Sequence, residues 1–182
     1  MSEQDKFRLT LQSLPHTGRQ WDEVIPLQDL VDESFADMDI SSVFFSDMAW
    51  QGSLYAVDNQ FFLQGSWQMR VPRVCGKCCV EFGLLMSGDV DVMYALGKSN
   101  DVVAELKLTG DEPELLEDGE LNILDVLREH FWLAWQPMVM CAEDCKGLCF
   151  HCGTDLNQGS CHCQGEVKEN AFSVLKHLKF NA

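Results

Sequence analysis

Basic residues are scarce in this chain: 13 lysines and arginines stand against 29 acidic residues, which gives a net charge of −16. Residues 21–69 contain no lysine or arginine at all. Proteins that bind a phosphate backbone do so with clustered basic side chains, so a broad nucleic-acid-binding face is disfavoured. The acidic surface suits a basic protein partner, and it suits equally a solvated face that keeps the protein soluble.

Long apolar runs and familiar catalytic motifs are also missing. No run approaches the roughly 18 apolar residues that a membrane span requires, although apolar residues make up 46% of the chain. There is no H-E-x-x-H pattern, no phosphate-binding glycine loop and no recognised Ser, His and Asp set. The first residues carry no apolar export segment. We therefore expect a non-enzymatic cytoplasmic protein with no membrane span and no small-molecule substrate.

Cysteine, in contrast, is abundant and clustered. Zn²⁺ is held by four thiolate or imidazole ligands in a tetrahedron, and paired ligands on tight turns supply that geometry. Cys149-x2-Cys152-Gly153 has the form of such a turn, so the spacing predicts a structural zinc site without deciding which four sulfurs bind. Six of the nine cysteines lie within residues 141–163 and are the candidate ligands: Cys141, Cys145, Cys149, Cys152, Cys161 and Cys163.

Other interpretations of the cysteines stay open. Disulfides persist in exported chains, which the start of this sequence does not indicate. A redox dithiol is favoured by the start of a helix, where Cys149 and Cys152 are not expected to lie. Cys75 and Cys78 could complete the zinc site of the tail, hold a second metal, or be a pair of buried thiols.

The few basic residues form two groups that could contact RNA locally. The alternative interpretation is that they are scattered surface charges. The first group lies around Cys75 and the second near the end of the chain: Arg70, Arg73 and Lys77, and then Lys168, Lys176 and Lys179.

Alternation of apolar and polar residues predicts a β-rich first half. Several sequential strands with short turns imply an antiparallel meander, and residues 26–35 have the spacing of a helix that covers one face. Reversals are expected at Asp58-Asn59 and Ser87-Gly88. The predicted strands are residues 7–11, 50–57, 60–71, 80–86 and 89–96.

The second half is predicted to be helical around the cysteines. Residues 97–119 are acidic and contain Gly and Pro, which indicates a linker or flap with a short strand at 102–108. A helix should begin near Glu120 with Asp118 as its N-cap, and a last helix should follow Asn170. We thus predict an α+β fold: a meander or partly open barrel with a covering helix in residues 1–96, then the linker, and then residues 120–182 with a helix, the zinc segment and a terminal helix packed on the β domain.

The cysteine-rich segment resembles a known family. The string Cys145-Lys146-Gly147-Leu148-Cys149, continued by Cys152-Gly153 and Leu156-Asn157, is similar to the zinc-containing branch of the YceD family. These are the large ribosomal RNA subunit accumulation proteins of bacteria and plastids. Cys75-x2-Cys78 is similar to the family's upstream C-x-R-C, with Lys77 in the place of Arg, and residues 121–137 resemble the helix that precedes the cysteines.

The resemblance implies a non-enzymatic factor that supports 23S rRNA accumulation during assembly of the large ribosomal subunit. Given the charge, we expect it to bind the subunit precursor chiefly through basic ribosomal proteins or other assembly factors, with only local rRNA contact. A zinc-dependent or thiol redox enzyme, and a zinc-ribbon module that binds nucleic acid directly, are the alternatives.

Overall fold

The fold is built from two β-sheets and a helix. It is taken from a computed structural model, and the structure describes residues 6–38, 40–97 and 113–163. The helices are α1 (Leu27–Leu30) and α2 (Ile123–Leu133), with 3₁₀ turns at Leu11–Ser13 and Glu33–Phe35. The strands are β1 (Arg8–Thr10), β2 (Arg19–Ile25), β3 (Met48–Val57), β4 (Gln60–Val74), β5 (Glu81–Leu96), β6 (Glu114–Leu116) and β7 (Glu120–Asn122).

Strands β2 to β5 form an antiparallel meander, the arrangement that the sequence predicts, although β2 was not predicted and β5 is one strand where two were expected. The five-stranded sheet has the order β2-β3-β4-β5-β6, with β6 parallel to β5, and β1 pairs antiparallel with β7 in a second sheet. The two sheets are open, and a cysteine-rich segment follows α2. The predicted α+β class is therefore confirmed.

The turns of the meander were predicted with mixed success. The reversal at Asp58-Asn59 is confirmed: Val57 pairs with Gln60, and Asp58 has the positive φ of 54° that tight hairpin turns use. The reversal at Ser87-Gly88 is wrong, because β5 pairs with β4 without a break through this point. Gly88 lies opposite Trp67, and a Cβ on it would come within 3.0 Å of the Trp67 indole nitrogen. Glycine is needed at this position because the Trp67 ring packs against it, and not because the chain turns there.

Strand β2 was not predicted from the sequence. Its buried side chains are Trp21 and Ile25, and Glu23 lies between them on the same face. Glu23 forms an ion pair with Lys6, while Val24 on the opposite face is 65% exposed. A charge at an inward position and an apolar residue at an outward one hide the two-residue period of the strand.

The helix that covers the inner face of the sheet is α2. Its Phe131 is fully buried and packs on Trp67 and on Phe35. The helix predicted over residues 26–35 is only the single turn α1 and a 3₁₀ turn, because the Asp32 carboxylate accepts the Ser34 N–H and starts a new turn. Among the described residues, no helix is long and apolar enough to cross a membrane.

Helix α2 also begins later than predicted. Glu120–Asn122 pairs with β1, so the helix starts at Ile123 and its N-cap is Asn122, whose side-chain oxygen accepts the Leu124 N–H. The Asp118 carboxylate instead accepts the N–H of Glu120 in the preceding turn. Pairing with a distant strand thus overrides a good local capping signal.

The middle of the outer face of the five-stranded sheet is polar and acidic. Asp22, Gln51, Ser66 and Asp89 pair in succession across β2 to β5. In the next row, the Tyr55 hydroxyl donates to Gln64, and the Gln64 amide donates to Asp91 at 3.1 Å. We call this surface the acidic face and define it by Asp22, Asp89 and Asp91.

Part of the predicted organisation lies outside the described residues. This applies to the strand at 102–108, to most of the predicted linker and to the helix after Asn170. Within the described part of residues 97–119, Glu114–Leu116 forms β6 against the end of β5. The division of the chain into three parts stays a prediction.

A packing constraint at Gly65 can be tested directly. Gly65 pairs with Gly52, and a Cβ on it would lie 2.4 Å from the Gln51 carbonyl oxygen and 2.5 Å from the Trp50 ring. We expect Gly65→Ala to lower the free energy of unfolding by about 1–3 kcal/mol, measured by denaturant titration. Gly159→Ala is the control, because nothing lies within 4 Å of that position. Equal stability of the two variants would contradict the packing.

Candidate metal centres

Four cysteines from two distant parts of the chain meet at the end of β4. Cys75 and Cys78 lie after that strand, and Cys141 and Cys145 lie in the segment after α2. The sulfurs of Cys75 and Cys145 are 3.7 Å apart, and those of Cys78 and Cys141 are 3.6 Å apart. Three of the four side chains are buried, and Phe82 packs against them. We call this set the first cluster.

Four further cysteines form a second cluster within the tail. They are Cys149, Cys152, Cys161 and Cys163, and the sulfur of Cys161 lies 3.4 Å from that of Cys149. In this cluster only Cys149 is buried. The second cluster is therefore more open to solvent than the first.

Both clusters have the dimensions of four-sulfur metal sites. An ion bound tetrahedrally at about 2.3 Å from each sulfur requires sulfur–sulfur distances of about 3.8 Å. The measured pairs lie between 3.4 and 3.7 Å, and all ligand atoms of a cluster lie within 4.8 Å of one another. The two clusters could therefore hold metal ions.

The same turn presents the first two sulfurs of each cluster. The N–H of Cys79 donates to the carbonyl of Cys75, and the N–H of Gly153 donates to the carbonyl of Cys149. The residue that donates this hydrogen bond has a left-handed backbone conformation in both turns, with φ of 57° at Cys79 and 73° at Gly153. This closes the backbone so that both cysteines of a C-x2-C pair face one point, as the sequence predicted for Cys149 and Cys152.

A short strap, residues 145–149, joins the two clusters. The N–H of Leu148 donates to the Lys77 carbonyl at 3.0 Å, and the Lys77 ammonium donates to the carbonyl of Cys145 at 3.3 Å. Gly147 has a φ of 75°, and a Cβ on it would lie 3.0 Å from the same Lys77 carbonyl. The glycine is needed for this close approach, which fixes the strap against the turn of Cys75 and Cys78.

Asn157 connects the loop of the second cluster to the first. Its side-chain oxygen accepts the Lys146 N–H at 2.8 Å, and its amide donates to the sulfur of Cys145 at 3.5 Å. The carboxylate of Asp155 accepts both the backbone N–H and the side-chain amide of Asn157. Hydrogen bonds to a ligand sulfur orient it and adjust its charge, so Asn157 acts on the first cluster from the second.

Arg73 guides the tail toward the first cluster. Its side chain is only 7% exposed, donates to the Gln136 carbonyl and lies 3.8 Å from the Trp135 ring centre. Burial lowers the pKa of this guanidinium. Three residues further on, the N–H of Gly76 donates to the Val139 carbonyl. These contacts bring Cys141 to the sulfurs at the end of β4.

The thiols of each cluster differ in their readiness to ionise. Hydrogen bonds from the backbone, first that of Cys78, lower the pKa of Cys75 to about 6, while hydrogen bonding with Cys78 raises the pKa of Cys141 to about 12. In the second cluster, hydrogen bonding to Thr154 lowers the pKa of Cys152 to about 6, and hydrogen bonding with Cys152 raises that of Cys163 to about 12. Adjacent thiolates repel, so a bound cation is what would allow all four sulfurs to ionise.

The structure divides the six cysteines of the tail between two sites. Cys141 and Cys145 are grouped with Cys75 and Cys78, for which the sequence left open completion of the zinc site of the tail, a second metal or a pair of buried thiols. Which of these sulfurs bind metal stays a prediction. Neither cluster includes His151, His162 or the exposed Cys79. Sequence reasoning did not identify Asn157 as a supporting residue, although it belongs to the string that carried the family resemblance.

The residues predicted to contact RNA have different environments. Arg70 and Lys77 are exposed, whereas Arg73 is buried under Trp135 and is not available to a partner. Its guanidinium is occupied by the Gln136 carbonyl and the Trp135 ring, which the sequence alone does not indicate. Lys168, Lys176 and Lys179 lie outside the described residues.

The fold and the site define a class: an α+β protein whose cysteine-rich segment is attached to a β meander through a cluster of sulfurs. The family described as large ribosomal RNA subunit accumulation protein YceD matches residues 63–179. The chain belongs to the YceD family, as its cysteine string indicated.

One curated relative supports this membership over a short stretch. The chain is 32% identical over 63 residues to large ribosomal RNA subunit accumulation protein YCED homolog 1, chloroplastic, of Arabidopsis thaliana. The match covers 35% of this chain and 20% of the relative's length. No solved structure is significantly similar to the chain.

The left-handed residue of the first turn gives a test of the local geometry. A side chain at positive φ is strained, so Cys79→Gly should raise the free energy of unfolding by about 0.5–1 kcal/mol relative to Cys79→Ser. Both variants remove the thiol, so the comparison isolates the backbone. Denaturant titration measures the difference, and a glycine variant no more stable than the serine variant would show that the turn is not left-handed here.

Proposed function

We propose that this protein is a non-enzymatic factor in biogenesis of the large ribosomal subunit. In this proposal it supports 23S rRNA accumulation or processing by binding components of the subunit precursor in the cytoplasm. The family membership suggests a role in large-subunit rRNA accumulation, and the acidic face is the observation that carries the choice of partner. The proposed partners are basic ribosomal proteins or other assembly factors.

The acidic face has the charge and shape that a basic protein segment requires. Asp22, Asp89 and Asp91 are all exposed, and Asp22 and Asp89 line one shallow groove together with Gln51 and Ser66. The row from Asp22 to Asp89 crosses four strands, which is about 14 Å. A row of carboxylates and amides can accept hydrogen bonds from Lys and Arg side chains, and it repels a phosphate backbone.

The cysteine-rich tail is proposed to be a zinc-held structural lobe. A four-sulfur site leaves no ligand position for a reactive water, unlike a catalytic zinc site. Few side chains between residues 141 and 163 are buried, so metal binding would supply stability that apolar packing does not. This argues against the alternative of a zinc-dependent enzyme. A thiol redox enzyme would instead need a reversible dithiol couple.

RNA contact is proposed to be local and secondary. Arg70 and Lys77 are exposed at the end of the sheet that carries the first cluster. Lys168, Lys176 and Lys179 belong to the same proposal from their place in the sequence, whereas the buried position of Arg73 removes it. A zinc-ribbon module that binds RNA directly would need more basic surface than this chain carries.

Charge reversal tests the acidic face. We expect Asp22→Lys, Asp89→Lys and Asp91→Lys together to weaken binding to pre-50S particles by at least about tenfold, because like charges then face the basic partner. Co-sedimentation measures the bound fraction. The control replaces three exposed acids elsewhere with lysine: Glu33, Asp37 and Glu117. Equal loss of binding in both triple variants would show a general charge effect and contradict a docking face.

A second reversal tests the RNA contact. Replacing Arg70, Lys77, Lys168, Lys176 and Lys179 with glutamate should reduce the salt dependence of pre-50S binding, since fewer phosphates are then neutralised. Co-sedimentation over a series of salt concentrations gives the slope. Binding with an unchanged slope would remove the RNA part of the proposal and leave the protein contact in place.

A further inference from the structure

We propose that the protein binds two soft divalent ions of the zinc class at unequal sites: a slowly exchanging ion in the first cluster and an exchangeable ion in the second, which depends on the first for its position. The inference rests on the proposed zinc-held tail and goes beyond it by giving the two clusters different properties. It follows from where the ligands come from, how far they are buried and what holds each loop.

The first cluster is half formed by the sheet before any ion binds. Cys75 is fixed by its N–H, which donates to the Val80 carbonyl at 2.9 Å, and by its bridge to Val139. The opposing half arrives through contacts that the fold itself makes, between Arg73 and Trp135 and between Gly76 and Val139. Since three of its four cysteines are buried and only Cys141 is exposed, a chelator has less access to an ion there than to one in the second cluster.

The second cluster lacks this support. All four of its ligands come from residues 149–163, and three of their side chains are partly or fully exposed. No buried apolar side chain outside the clusters packs on it among the described residues. A small competing ligand can therefore reach an ion at this site directly.

The loop of the second cluster rests on the strap. Leu156 donates its N–H to the Gly147 carbonyl, and Asn157 bonds to both Lys146 and the sulfur of Cys145. Only three residues separate Cys145 from Cys149, so a ligand of each cluster lies at either end of the same strap. An ion in the first cluster fixes that strap, and the second site is positioned by it.

The test counts ions and follows their release from the purified full-length chain loaded with zinc. Native mass spectrometry gives the stoichiometry, and a chromogenic chelator gives the release kinetics. We expect two ions per chain and two release phases that differ in rate by at least about tenfold, because solvent access differs between the sites. One ion per chain, or two ions released at a single rate, would overturn the proposal.

Two variants show which release phase belongs to which cluster. Cys161→Ser with Cys163→Ser should leave one ion and only the slow phase. Neither side chain is buried, so we expect the double variant to fold. Ser160→Ala, at an exposed position beside Cys161 and outside both clusters, should retain two ions with unchanged kinetics. A fast phase that persists in the Cys161 and Cys163 double variant would contradict the assignment.

Asn157 tests the dependence of one site on the other. Asn157→Ala should speed the fast phase, because it frees the loop of the second cluster from Lys146, and also the slow phase, because it removes the hydrogen bond to the Cys145 sulfur. The loss of a supporting hydrogen bond usually costs about 10–100-fold. Gln158→Ala is the matched control, because Gln158 bonds only to Asp155. An unchanged fast phase in Asn157→Ala would show that the sites are independent. Ion counting involves no ribosomes, so its failure leaves the pre-50S co-sedimentation result standing, and the reverse also holds.

Discussion

The convergence of four sulfurs at the end of β4 is the contact on which the rest of the tail depends. The main apolar core ends with Phe131 of α2 and the partly buried aromatic residues that follow it. Beyond this point the buried cysteines replace apolar side chains, and Arg73, Gly76 and Lys77 attach the tail to the sheet through hydrogen bonds. A segment with so little core needs either such a joint or a bound ion to keep one conformation.

The two faces of the five-stranded sheet have separate tasks. The inner face buries Trp50 and Trp67, and Trp67 packs on Phe131 of α2. Glycines lie on neighbouring strands where the two rings need space. The outer face is not covered by α2, and its acidic side chains Asp22, Asp89 and Asp91 are exposed to a partner. Antiparallel sheets commonly have one packed and one solvated face, and here the solvated face carries the acidic row. Along each strand, one set of alternate residues packs in the core, and the other set is available to bind a partner.

Local patterns predicted what depends on neighbours in the sequence and missed what depends on distant pairing. The turn at Asp58-Asn59 and the C-x2-C turn at Cys149 need only a few adjacent residues, and both are present. From the sequence, Gly88 resembles a turn residue, because Trp67, whose ring requires a glycine there, is distant from it along the chain. Strand β2 was missed because Glu23 occupies an inward position, where its charge is paired with Lys6. Lys6 lies 17 residues earlier in the chain, so a local pattern does not reveal the pair. Asp118 has the side chain of a good N-cap, but residues 120–122, which would form the first turn of that helix, pair with β1 as a strand.

The sequence by itself determined the β-rich first half, the acidic balance, the tight turn at Cys149 and the family, because each follows from composition or from spacing within a few residues. Only the tertiary structure decided how the sulfurs are grouped. The whole of β5, β6, β7 and α2 separates Cys75 from Cys141, and no spacing rule brings the two cysteines together. Their meeting depends on where β4 ends and on how Arg73 and Trp135 direct the chain after α2, which is a property of the packed molecule.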